Sequence, residues 1–202
     1  MPRSEDILSG LHAIANSYVI YAIIWHVIFY ALIIAVALKW VPSYRLLGVL
    51  LSIPLFSVAA FAWVSGNPFN GTMFSIMAIL ILVFGIRASS LPISMSELPF
   101  IVIGIIMIVF GLLYPHFIET DSVVKYLYAS PAGLIPCPTL SILIGFILLF
   151  NGFGSQPITM TFVVFGLFYG FFGAMKLHVH LDFVLIFGSL ALLSKSILML
   201  IR

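Results

Sequence analysis

Residues 17–38 read SYVIYAIIWHVIFYALIIAVAL, without a formal charge and with a single histidine. A helix rises about 1.5 Å per residue, so this stretch covers the roughly 30 Å hydrocarbon core of a bilayer. Its apolarity is continuous, whereas strands of a membrane barrel alternate over about 10 residues. Runs of the same kind recur at 46–65, 72–86, 100–114, 158–175 and 181–201. Composition agrees with them: of 202 residues, 63% are hydrophobic and 7% charged, and the mean hydropathy is +1.30. A soluble domain carries about 25% charged residues, so lipid must act as solvent for the apolar excess. The net charge of +2, with no concentrated basic patch, argues against a nucleic-acid partner.

The segment 123–150, VVKYLYASPAGLIPCPTLSILIGFILLF, behaves differently. It is long enough to cross a bilayer, but Pro131, Gly133, Pro136 and Pro138 interrupt it. An uninterrupted helix is expected only over 139–150, about 18 Å long. The piece before it reads as a half-helix or re-entrant loop, tolerated only where protein or a water-filled cavity surrounds it. An interior proline removes a helical N–H and clashes one turn back, so 130–139 is expected to leave the helix. Re-entry is expected at Thr139, whose hydroxyl can cap the next turn. The fold expected is an all-α polytopic transmembrane bundle of seven spans, or six if the fifth segment is wholly re-entrant.

Two further features complete the layout. Residues 1–16 lack an A-x-A cleavage site and read as an amphipathic interfacial helix, with a partner-binding face as the alternative. Ser4 would cap it, and Ile7, Leu8, Leu11 and Ile14 would share one face. Residues 17–202 then form one transmembrane domain, with Pro54 a kink in its second span. Seven spans put Lys39, Arg45, Arg87, Lys195 and Arg202 on one side, with Glu97 as the only acid there. Arg3, Lys125 and Lys176 fall on the other side with five acids, so the positive-inside rule sets the N-terminus outside and the C-terminus inside the cell membrane. Lys195 is expected to snorkel to the cytoplasmic interface. The Asn70-Gly71-Thr72 sequon lies in a tight turn at the membrane and carries no weight.

Candidate chemistry gathers in two places. Ser130, Pro136, Cys137, Pro138 and Thr139 belong to the broken segment, where freed backbone carbonyls make polar sites in transporters and channels. The lone Cys137 excludes an internal disulfide and is a soft ligand or a reactive thiol if its proton is easily lost; the plainer alternative is a kink with an inert cysteine. His26, in mid-span, should face the bundle interior as a proton-path residue or an interhelical hydrogen bond. At the outer face, His178, His180 and Asp182 alternate. In extended chain they would point the same way and, with His116, could hold a divalent ion such as zinc. The alternative is that they merely wet the mouth of a helical hairpin. Gly166, Gly170 and Ala174 form a small-residue stripe for close packing, within the chain or between copies in a homo-oligomer.

Residues 130–190 resemble a family of uncharacterised bacterial polytopic membrane proteins, in which a Pro-Cys-Pro-Thr element begins a glycine-containing apolar span. Pro136, Cys137, Pro138, Thr139 and Gly145 carry the resemblance, and Asp182 matches the family's late acidic residue more loosely. The His178/His180 pair departs from that pattern. The resemblance implies a fold and no activity. The leading functional expectation is a transporter or channel for a small solute or ion, acting at the broken segment within the lipid bilayer. A metal-dependent membrane enzyme built on the outer histidines and an accessory subunit packing through the glycine stripe are the alternatives.

Overall fold

The computed structural model describes residues 4–201, and among these every regular element is helical. The principal helices are α1 (Ser4–Ser17), α2 (Val19–Ala37), α3 (Tyr44–Val64), α4 (Pro68–Arg87), α5 (Leu98–Leu112), α6 (Tyr126–Ala129), α7 (Pro136–Leu149), α8 (Gln156–Phe171) and α9 (Phe183–Ile201). The runs Val19–Ala37, Tyr44–Val64, Pro68–Arg87, Gln156–Lys176 and His180–Ile201 are long and apolar enough to cross a membrane. Their outer faces are apolar as well: Ile20, Val27 and Ile34 of α2 are more than half exposed. Arg3 and Arg202, which entered the charge comparison, lie outside the described residues.

Several boundaries differ from expectation. α4 begins at Pro68 rather than 72, because proline is tolerated at the first helical position, where its missing N–H would have no partner anyway. The Asn67 side chain accepts from the Asn70 amide and caps that end. Pro54 lies inside α3 without ending it. α5 has only 15 residues and α7 only 14, so the fourth and fifth apolar segments are shorter than a bilayer crossing requires. The half-helix expected before the break is the single turn α6.

α7 is the centre of the molecule. Thirteen of its 14 residues are buried, which marks a helix enclosed by protein on every side. It packs on α5, α8, α9 and α3, so its length is not set by lipid. α5 and α7 meet backbone to backbone: a Cβ on Gly104 would lie 2.8 Å from the Gly145 carbonyl oxygen, and one on Gly145 would lie 2.6 Å from that of Gly104. The Ser141 hydroxyl adds a bond to the Met107 carbonyl at 2.7 Å. α3 and α4 form a second tight pair through Gly48 and Gly85.

The glycine stripe of α8 is occupied within the chain. Gly166 lies against Ser189 and Ile144, Gly170 against Ile186 and Leu185, and Ala174 is buried. The expected homo-oligomer face is therefore covered by α9 and α7. α1 buries Leu11 and Ile14 and is tied down by Asn16, which donates to the Phe117 carbonyl at 2.8 Å and accepts from the Glu119 amide at 3.0 Å. Asn70 is buried and takes a bond from the Tyr169 hydroxyl, so its sequon is out of reach.

Candidate functional site

Between α6 and α7 the chain leaves the helix over 130–135, and residues 129–136 are all buried. Gly133 supplies the turn with φ +76°, a left-handed conformation that costs other residues about 1–2 kcal/mol. The Trp25 ring occupies the space a side chain there would need. Trp25 is itself fixed by donating from Nε1 to the Ser57 hydroxyl at 2.8 Å.

Helix re-entry comes at Pro136, three residues before the expected Thr139. Pro136 and Pro138 occupy the first turn of α7, where amides have no intrahelical partner, so neither ring breaks a bond. Thr139 fastens the turn from inside the helix instead of capping it. Its Oγ1 accepts from the Gly133 amide at 2.8 Å and donates to the Ile135 carbonyl at 2.7 Å. Ser130 is fully buried and donates to the Tyr114 carbonyl at 3.0 Å, tying the break to the end of α5.

The break brings three ionisable side chains together. The Asp182 carboxylate accepts from the Tyr114 hydroxyl at 2.8 Å through Oδ1 and from the Cys137 thiol at 3.1 Å through Oδ2. Asp182 and Tyr114 are buried, while Cys137 is the single residue of 129–149 that is not. No basic side chain pairs with Asp182 among the described residues. The N-terminal end of α7, with its partial positive charge, lies beside it. With two of the first three positions of α7 proline, much of the donor role there passes from amides to the thiol.

Asp182 reaches this position through an irregular corner. α8 closes in a π-turn, Phe172–Lys176, and His178 follows with φ +57°. The Val179 amide returns to the Gly173 carbonyl at 2.9 Å, and His180–Asp182 form a 3-10 turn. Gly173 is in contact with the carboxylate, whose Oδ2 holds the position a Cβ would take.

That corner does not bring the expected metal ligands together. Alternation needs extended chain, and the left-handed His178 and the 3-10 turn leave both histidines exposed while Asp182 turns inward. His180 stacks on Phe183. His116, half-buried against Phe117, has its pKa lowered by burial and by the neighbouring His12. Among the described residues, no group of three or more His, Cys, Asp or Glu could hold a metal ion.

His26 is buried, but its ring nitrogens meet the Ala22 carbonyl at 2.9 Å and the Leu112 carbonyl at 3.0 Å. It clamps α2 to the end of α5 and touches neither Cys137 nor Asp182. A cavity of about 970 Å³ lies elsewhere, between α2, α5 and α7, and none of residues 130–139 lines it.

A second polar centre escaped sequence reading. Lys195 is buried, not snorkelling: its Nζ meets Glu97 Oε2 at 2.5 Å and lies 5.1 Å from the Phe100 ring centroid. Near it, the Gln156 amide donates to the Ser196 hydroxyl at 2.7 Å. This centre stands at the start of α5, and the Tyr114–Asp182–Cys137 centre stands at its end.

No protein-family model, curated protein or solved structure matches the chain significantly, so the chemistry rests on this geometry alone.

Proposed function

We propose that the chain is a transporter or channel-like protein for a small solute or ion, with Asp182, Cys137 and Tyr114 at the break as its site. The observation that carries this reading is a buried carboxylate held only by a phenol and a thiol, with no basic partner among the described residues. An ionisable group inside a membrane bundle is costly and marks ion or proton pathways more often than packing. Asp182 can exist here as a neutral acid or as an anion accompanied by a cation; exchange between these forms is the elementary step of cation-coupled movement. Cys137, the partly open member, faces the entering species. Flux across proteoliposomes tests this directly. With a pH dye inside and a potassium potential imposed, wild type is expected to dissipate a proton or sodium gradient faster than empty vesicles, and Asp182→Asn to lose that flux. Wild-type flux equal to that of empty vesicles for both ions would remove the proposal.

The same reading places α5 and the α6–α7 pair within the membrane, giving seven apolar segments with the N-terminus outside and the C-terminus inside. Single cysteines at Ser4 and Ser90, introduced with Cys137 changed to serine, are expected to react with an impermeant label from opposite sides. Labelling of both from one side would reverse this topology. The metal-enzyme and accessory-subunit alternatives have less support: the outer histidines and Asp182 do not converge, and the glycine stripe packs within the chain.

A further inference from the structure

The cavity between α2 and the α5–α7 pair is a half-open apolar groove. All the buried residues of α2, Ala22, Trp25, His26 and Phe29, precede Tyr30. Beyond that point its inward residues are only half-buried, and the groove runs from Tyr30 to the turn after the helix, roughly 13 Å at helical rise. Ile33 and Val36 form one wall, Ile105 and Val109 the other, and Phe146 of α7 lies at its base. Its volume of about 970 Å³ is at the upper end of the roughly 300–1,000 Å³ typical of ligand pockets. Among the described residues Lys39 is the only charged one lining it; it stands at one end, and its ammonium makes no side-chain hydrogen bond or ion pair with any of them. Trp40 beside it is exposed, as aromatic residues at a headgroup boundary are.

We infer that this groove holds one acyl chain of an anionic phospholipid from the surrounding bilayer, with Lys39 on the phosphate. Apolar walls with one cation at an end suit a lipid rather than a polar solute. An empty groove would forfeit dispersion contacts along both walls, and a bilayer supplies chains to fill it. Among the described residues no acidic side chain lines the groove to compensate Lys39, which selects a net-negative headgroup over a zwitterionic one. A helix from a second copy fits less well, because related copies would bring Lys39, Arg45 and Arg87 to the same level of the membrane. This inference does not depend on the transport reading.

Native mass spectrometry of protein taken from vesicles of equal phosphatidylglycerol and phosphatidylcholine decides it. Wild type is expected to retain one phosphatidylglycerol per chain, preferred about five-fold over phosphatidylcholine, as one basic residue near an anionic surface contributes roughly 1 kcal/mol. Lys39→Gln should abolish the preference, while Lys176→Gln, outside the groove, should keep it. Val109→Trp fills the groove from its exposed wall and should remove the retained lipid; Val36→Trp gives the same reading if that variant is not monodisperse. Equal retention of the two lipids by wild type, an unchanged preference in Lys39→Gln, or a lipid-free dimer would each overturn the proposal.

Discussion

Gly173→Val is expected to expel Asp182 from its site, because the first carbon of any side chain falls on the carboxylate oxygen. Tyr114 and Cys137 then lose their common acceptor, and the buried phenol left unpaired costs about 1–3 kcal/mol. Thermal unfolding in detergent should fall by several degrees, and Cys137 should react with a permeant maleimide at least about ten-fold faster, a factor worth roughly 1.4 kcal/mol. Gly10→Val is the matched control, since Gly10 has open space around its Cβ position. A Gly173→Val protein with wild-type melting and wild-type thiol reactivity would mean that the thiol–carboxylate contact does not organise the break.

The second large effect concerns the other end of α5. Lys195 is 1% exposed, whereas the Glu97 side chain is 38% exposed. Losing Glu97 strands an ammonium in the bundle, and breaking a buried pair from one side costs about 3–5 kcal/mol. Losing Lys195 leaves a carboxylate that water can partly reach. Glu97→Ala should therefore lower the unfolding temperature far more than Lys195→Met, and the double variant should recover most of the difference. Equal losses from the two single variants would mean that Lys195 is hydrated in solution and the asymmetry of burial is not real.

How much of this was legible beforehand follows from which interactions are local. The helical runs were readable because apolarity over 20 residues is a property of the segment itself, as 17–38 shows. The break at 130–135 was readable for the same reason, since Pro131 and Gly133 act on their own backbone. Where the helix resumes was not, because a proline's cost depends on its place in the turn: Pro136 and Pro138 sit where amides are spare. The role of Tyr114 was invisible, since its only connection to Asp182 spans 68 residues of chain. Alternation of His178, His180 and Asp182 looked like convergence only on the assumption of extended chain, and a single left-handed residue removes it. The Lys195–Glu97 pair was missed because snorkelling accounts for a lysine near a helix end without invoking any partner.

The enclosure of α7 bears on how the molecule is made. A helix with a lipid-facing side can settle in the bilayer as soon as it leaves the ribosome, and its neighbours can join later. α7 has no such side, and α8 and α9, which cover much of it, are synthesised after it. Its final seat, begun by α5 and α3, is incomplete when it emerges, so the chain must hold it provisionally until the last third arrives. A nascent chain arrested before α9 would present its most tightly packed helix to quality-control proteases.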